Sequence, residues 1–473
     1  MRVLQVRVLL LLCLVYLSLV ALIYHYWRST GLDNSIDILF DSPGEGKSPQ
    51  VSNNEIVQFN FRRGSIHLGI DNATTPQASD TTNLPSDTLD NSKEDDTSLD
   101  LSKEDDTSLD LSGLSPPNYC LHTFYYMWYR NEDTDGGYMH WNHRYLPHWK
   151  EDVSKRYPKG RHEPPNDIGA SFYPKLGPYS SKDPLTMKTH MYQLRQAEVG
   201  VVSVSWYPKG ISDDEGGPPD ELMSQLLDIA LKYSIKVTVH IEPYKNRTPL
   251  SVRNDLEYIH KQYVNHPAFY KLSRRANDRA LPLIYVYDSY LSPAKEWNKI
   301  FTASGSDTIR GREIDSIVLG LLVEERHKQD ILQGGFDGFY TYFASDRFSY
   351  GSTIKNWEGL EKFARQRKLI FIPSFGPGYN DERVRPWNKR NSKSRQNGSY
   401  YRKMFDAATL RAHTPQSSSK IVSLTSFNEW HEGTQIEPAI PKLYGNYTYI
   451  DYTPNGPDFY LQLTREGSKK LVC

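Results

Sequence analysis

From Tyr119 to the carboxyl terminus, short apolar runs alternate with longer stretches of mixed polarity. The apolar runs are HTFYYMWY (122–129), VVSVSWYP (201–208), KVTVHIEP (236–243), LPLIYVYD (281–288), SIVLGLLV (316–323), GFDGFYTYF (335–343), KLIFIPSFGPG (368–378) and IVSLTSFNEW (421–430). Each is bounded by Pro, Gly or Asp and is apolar at nearly consecutive positions, as strands buried on both faces are. The intervening stretches carry the helical period. Residues 183–200 open with Asp183 as N-cap and Pro184 in the first turn and close on Gly200, and residues 218–234 place Leu222, Leu226, Leu227 and Ala230 on one stripe. Strand–helix alternation repeated this often predicts an α/β fold, a (β/α)8 TIM barrel over 118–473. An open doubly wound sheet is the alternative, but it usually shows a Gly-rich first turn, and HTFYYMWYRNEDTDGG is not one.

The amino-terminal quarter reads differently. Residues 8–27, VLLLLCLVYLSLVALIYHYW, form one unbroken apolar run. As a helix it would span about 30 Å, the thickness of a bilayer core. Arg2 and Arg7 precede it, while Arg28 and then Asp33 and Asp37 follow. That charge bias predicts a type II signal anchor, with 1–7 cytoplasmic and the rest lumenal; a cleaved signal peptide is the competing reading. Residues 28–117 are rich in Ser, Asp, Thr, Asn and Pro, and SKEDDTSLDL occurs twice in tandem at 92–101 and 102–111. So polar a segment is expected to be a disordered stem. Sequons at Asn72, Asn246, Asn397 and Asn446 suit a lumenal chain, although Pro249 follows the second closely.

Composition adds little beyond this. A net charge of −1 gives no reason to expect nucleic acid as a partner. The aromatic content, 12% with 33 Tyr and 9 Trp, suits sugar stacking and a Tyr-rich core about equally. Cys13 lies in the apolar run, leaving Cys120 and Cys473 at the ends of the domain, so it is expected to stand without a disulfide. No Cys/His spacing resembles a zinc site, and no metal or other cofactor is expected.

Candidate chemistry collects at the carboxyl ends of the strands, where barrels of this kind carry their sites. TSFNEWHEGTQIEP (425–438) packs Glu429, Glu432 and Glu437 together at the last of them. Two close carboxylates in a partly dry pocket resist joint ionisation, which gives the acid–base split of glycoside hydrolysis. The ordinary alternative is a solvated loop whose acids cap a helix or pair with a cation. Around the two acids, candidate sugar contacts are Tyr126, Tyr129, His140 and Trp141 after the first strand, and His240 and Glu242 after the third. Tyr287 and Asp288 follow the fourth strand, Tyr340 and Tyr342 the sixth, and Asn428 and Trp430 frame the acids themselves. Glu242 and Glu437 are also candidates for a supporting role, Glu437 behind Glu432.

FNEWHEGTQIEP, GFDGFYTYF, IPSFGPGYNDERVRPWN, HIEPYKNR, LPLIYVYDSY and WYPKG together resemble glycoside hydrolase family 99, from about Tyr119 onward. The resemblance implies cleavage of an internal α-1,2-mannosidic bond in glucosylated high-mannose N-glycans, releasing glucose-capped mannose with retention and without a metal. It implies a type II protein of the Golgi membrane. It also implies that Glu429 deprotonates the substrate's own 2-hydroxyl to form a 1,2-anhydro sugar. Glu432 would then be the acid and, in the second step, the base. An ordinary double displacement by Glu429 is the mechanistic alternative. The rival classes are a glycosyltransferase, for which Asp133–Thr134–Asp135 supplies a DxD triplet, and a silent glycan-binding barrel.

Overall fold

A computed structural model describes residues 111–273, 278–414 and 416–473. The tail, the anchor, and the stem as far as residue 110 with Asn72 lie outside the described residues. Among the described residues no helix is long and apolar enough to cross a membrane.

All eight apolar runs form strands, each parallel to its neighbours in the ring: β1 Asn118–Tyr125, β2 Val199–Trp206, β3 Lys236–Ile241, β4 Leu281–Val286, β5 Ile317–Leu321, β6 Gly338–Tyr340, β7 in two pieces, Ile370–Ile372 and Ser374–Phe375, and β8 Val422–Leu424; the short strand Lys271–Leu272 pairs antiparallel with the start of β4. The first piece of β7 pairs with β6 and the second with β8, which pairs with β1. The ring therefore closes through the chain itself at Pro373, whose missing N–H interrupts the ladder between the pieces. This is the arrangement of a (β/α)8 barrel. Eight helices follow the strands in turn: α1 Pro184–Gln196, α2 Met223–Lys232, α3 Pro249–Gln262, α4 Ala294–Phe301, α5 His327–Gly334, α6 Trp357–Arg367, α7 Ser399–Ala412 and α8 Phe459–Ser468.

Local chemistry sets the helix ends. The Asp183 carboxylate accepts from the N–H groups of Leu185 and Thr186, with Pro184 at the first helical position as its fixed φ favours. Thr248 and Ser251 form a capping box at α3, and Pro249 opens that helix. Gly200, expected to end a helix, instead lies in β2. A Cβ there would come 2.3 Å from the carbonyl oxygen of Asn118, so the residue allows β1 and β2 to approach. Asn246, Asn397 and Asn446 are all exposed.

The inside of the ring is aromatic and polar rather than aliphatic. Phe124 packs against His240, Tyr285, Tyr340 and Tyr342, with ring centroids 4.7–5.8 Å apart. His122 Nδ1 lies 2.8 Å from the Tyr285 hydroxyl, and burial lowers this imidazole to about 3, so it is neutral. Much of the tyrosine content is thus core.

One expectation fails. Cys120, in β1, is disulfide-bonded to Cys473, with Cα atoms 5.5 Å apart. The domain is stapled. Terminal cysteines looked unpaired because 353 residues separate them, but the ring returns the end of the chain to its first strand.

Candidate active site

The loop after β8 is folded tightly onto the mouth of the barrel. Ser426 N–H donates to the Thr434 carbonyl (2.9 Å), and Ile436 and Glu437 N–H groups donate to Phe427 O (3.0 and 2.9 Å). The Asn428 side chain bonds both backbone groups of Tyr126, accepting from its N–H and donating to its carbonyl, each at 2.8 Å. An amide here does the work of one more ladder position, fixing the loop to the end of β1. The Tyr129 hydroxyl donates to Asn428 O (3.0 Å) and receives the Trp430 N–H (3.1 Å).

Glu437 is the buried anchor of the loop. Its Oε2 accepts from Trp430 Nε1 (2.9 Å) and the Tyr179 hydroxyl (2.8 Å), and Oε1 lies 3.2 Å from His190 Nε2. It therefore supports Trp430, the residue after Glu429, and none of these contacts runs to Glu432. Trp141 donates to Tyr179 O at 2.7 Å and stacks on Tyr129 at 4.2 Å. Tyr129, Trp141, Asn428 and Trp430 are completely buried, so the structure places them behind the mouth as its framework.

Glu429 and Glu432 emerge from this frame. The Glu429 N–H donates to Ser426 Oγ (2.8 Å), and its carboxylate Oε1 accepts from the His431 N–H (3.1 Å). His431 Nδ1 faces Gly169 O at 2.8 Å, and Nε2 meets His140 Nδ1 at 3.2 Å. Burial, with His143 and His140 nearby, holds His431 far below its ordinary value and neutral. His140 lies flat on Trp128 with centroids 4.4 Å apart, and its Nε2 is 3.4 Å from Asp213 Oδ1.

Glu432 is partly exposed and approached by the loop between β7 and α7. Asn380 N–H donates to Glu432 O (2.8 Å). Gly433 sits at φ +59°, and a Cβ there would be 2.7 Å from Asn380 O, so glycine is what fits. Behind it the buried Asp381 carboxylate takes the Tyr379 hydroxyl (2.9 Å), Asn388 Nδ2 (2.9 and 3.1 Å) and Arg385 Nη1 (3.2 Å). Asp381 thus holds Arg385, the cation beside Glu432.

Burial and then the charge of Glu432 push Glu429 well above the usual carboxylate range. Burial likewise raises Glu432 to about 7, although Arg385 pulls it down. Such a pair titrates as a unit, and one carboxyl keeps its proton after the other has ionised.

The opposite wall comes from β1, β3, β4 and β6. Tyr126 and Tyr342 hydroxyls meet at 2.5 Å. Their phenols are raised by burial, and the charges of Glu429 and Glu432 add to the shift. His240 Nε2 lies 2.6 Å from the Tyr340 hydroxyl and its Nδ1 3.1 Å from Glu242, which also accepts from Ser205 Oγ (2.9 Å). Tyr287 and Asp288 are partly exposed at the rim, their carbonyls held by Arg247 at 2.6 and 2.8 Å. Asp288 is raised by burial and accepts from the Tyr290 hydroxyl at 2.7 Å. The mouth therefore gathers Glu429, Glu432, Tyr126, Tyr342, Tyr287, Glu242 and Asp288. Arg385, Tyr379, Trp128 and His431 complete it, with Asp381 buried behind Arg385. Sequence reasoning proposed none of these as site residues, although Tyr379, Asp381 and Arg385 stand in IPSFGPGYNDERVRPWN and His431 in FNEWHEGTQIEP.

The second acid of the DxD triplet is otherwise engaged. The triplet lies in the one-turn helix Glu132–Asp135, where Asp135 accepts from Asn131 N–H (3.1 Å) and sits 3.6 Å from Arg130. Among the described residues no group of three or more His, Cys, Asp or Glu side chains could hold a metal ion.

The sequence pattern of glycosyl hydrolase family 99 matches residues 116–473. The chain belongs to this family. Glycoprotein endo-alpha-1,2-mannosidase of Xenopus laevis is 53% identical over 357 residues, which cover 76% of this chain and 78% of that protein. The human glycoprotein endo-alpha-1,2-mannosidase-like protein is 48% identical over 353 residues, 74% of this chain and 76% of its own. Among solved structures, the family 99 endo-alpha-mannosidase of Bacteroides thetaiotaomicron is similar at 39% identity and a TM-score of 0.67, covering 76% of this chain and 98% of that one. As a family 99 member the chain is a glycoside hydrolase.

Proposed function

We propose that the protein is a retaining endo-α-1,2-mannosidase that removes glucose-capped mannose from glucosylated high-mannose N-glycans. The observation that carries this is the carboxylate pair, Glu429 and Glu432, raised together by burial at the mouth of a family 99 barrel. The names of the relatives supply the bond.

In an α-mannoside the 2-hydroxyl is axial and can lie anti to the departing oxygen at C1. Ionised Glu429 takes the O2 proton, O2 attacks C1, and Glu432 delivers its proton to the leaving oxygen as the C1–O bond breaks. Alignment of reacting atoms supplies several kcal/mol as effective molarity. Glu432, now ionised, then takes a proton from water; the water oxygen opens the three-membered ring at C1, and Glu429 returns the proton to O2. Two inversions leave the configuration retained. Substrate decides where the shared proton rests, because an O2–H donating to Glu429 requires that carboxylate to be ionised and leaves the proton on Glu432.

A pH dependence follows. The active form carries one proton on the pair. Burial and the charge of Glu432 keep Glu429 protonated when Glu432 ionises at about 7, so that ionisation produces the active form and the last proton leaves only at higher pH. kcat/KM should therefore fall about tenfold per unit as pH drops below about 7, and fall again in alkali. A profile flat from about pH 5 to 8 would contradict the need for one ionised carboxylate.

The Golgi membrane, through the 8–27 anchor, is the proposed location, with the stem holding the barrel in the lumen. The Cys120–Cys473 bond supports an oxidising compartment. The direct test of function is to incubate the protein with a monoglucosylated high-mannose glycan and weigh the products. Loss of a hexose pair is the expected result; loss of single hexoses, or dependence on a nucleotide donor, would overturn the reading.

A further inference from the structure

Among the described residues Trp149, 68% exposed, is the most open large apolar side chain apart from Val472. It is not isolated. His148 stacks on it with centroids 3.7 Å apart at 29°, and Trp387 meets both rings edge-on at 5.0–5.2 Å. Trp387 Nε1 donates to Leu146 O (2.9 Å), and Leu146 N–H donates to Val384 O (2.8 Å), so two loops are tied together into one shelf. Lys150 N–H donates to His148 Nδ1 (3.0 Å), which fixes that ring. Beside the shelf is a hollow of ≈ 260 Å³ lined in part by Tyr145, His148, Tyr157 and Lys159.

We infer that this shelf is a second sugar-binding site, taking one pyranose ring of the substrate glycan on the leaving-group side of the cleaved bond. Both loops are on the active-site face: residues 144–149 lie between β1 and α1, and Trp387 lies between β7 and α7. Trp387 is two residues from Arg385, the cation that acts on Glu432. Because Glu432 is the proposed donor to the leaving oxygen, its side of the mouth receives the remaining glycan; the assignment of side rests on that reading. A pyranose offers an apolar C–H face and a hydroxyl rim, which match an open indole stacked on His148 and, through His148, a hollow lined by Tyr157 and Lys159. The hollow is small for a drug-sized ligand and suits a single ring. An exposed patch this apolar on a catalytic face calls for an occupant, and the substrate is the one already brought there.

The test uses the whole chain and two substrates, a branched monoglucosylated high-mannose glycan and a linear trisaccharide ending just past the cleaved bond. Trp149→Ala should raise KM for the branched glycan roughly three- to tenfold, leaving kcat and the trisaccharide kinetics unchanged. Trp149→Tyr should restore most of the loss. Equal effects on both substrates, no effect on either, or a change confined to kcat would overturn the inference. Binding of an unglucosylated high-mannose glycan, followed by tryptophan fluorescence, separates this from the proposed activity. If the wild type binds that glycan and Trp149→Ala binds it more weakly, the shelf stands even where no disaccharide is released. Equal binding removes it.

Discussion

Glu432→Gln should lose about 10²- to 10⁴-fold in kcat/KM on the natural glycan, yet keep a measurable share of wild-type activity on an α-fluoride of the released disaccharide. Fluoride departs without a proton, so the first step no longer needs an acid, while O2 must still be deprotonated. Glu429→Gln removes that base and should be inactive on both substrates. Gln preserves the shape of each side chain, and it also ends the repulsion within the pair. Because both carboxyls are raised by burial, the native state binds more protons than the unfolded chain between the ordinary carboxylate value and about 7. Their ionisation therefore costs stability as pH rises through that window. At pH 7 neither variant should melt below wild type, so lost activity would not be lost fold. Rescue of Glu429→Gln by fluoride, with none for Glu432→Gln, would show the roles reversed. Equal loss on both substrates would exclude a division of labour between acid and base.

The barrel was legible because every strand is buried on both faces and so reads as an apolar run. Boundaries were less so. The last run suggested a strand over 421–430, but pairing stops at Leu424 and the residues beyond fold back through Ser426, Thr434 and Ile436. Such a turn depends on side chain–backbone bonds from Ser426 and Asn428 that periodicity does not encode. The short antiparallel pairs, Tyr173–Pro174 with Ala439–Ile440 and Leu443–Tyr444 with Tyr447–Thr448, lacked enough alternating positions to be seen.

In the site, the acids stood out because they are neighbours in sequence as well as in space. Their sequence neighbours stood out for the same reason: Asn428 and Trp430 flank Glu429, and their side chains bond the backbone of Tyr126 and the carboxylate of Glu437. Arg385 was hidden for the opposite reason. It arrives from another loop, and its place is fixed by Asp381, a fully buried carboxylate whose partners come from Tyr379, Arg385 and Asn388. Only the folded ring brings that cation to Glu432.

Cys473→Ser should destabilise the domain by about 3–5 kcal/mol, lowering Tm by roughly 4–7 °C for a domain of this size. The bond ties the last residue to β1 across 353 residues, so its removal frees a very long loop in the unfolded chain. In the folded state the chain end stays docked by other means. Asn118 Nδ2 donates to Leu471 O (2.7 Å) and Ser468 O (3.3 Å), Leu471 is buried, and Gly467 in α8 lets the ring of Phe405 pack close. None of these groups touches Glu429 or Glu432, so kcat and KM measured well below Tm should be unchanged. Cys120→Ser should cost a similar amount, and the double variant little more than either single one, because both lose the same bond. Treating the wild type with a reductant should bring its Tm down to that of Cys473→Ser while leaving the variant unmoved. An unchanged wild-type Tm under reduction, with Cys473→Ser melting where wild type does, would mean that the staple contributes nothing and that packing of α8 alone closes the barrel.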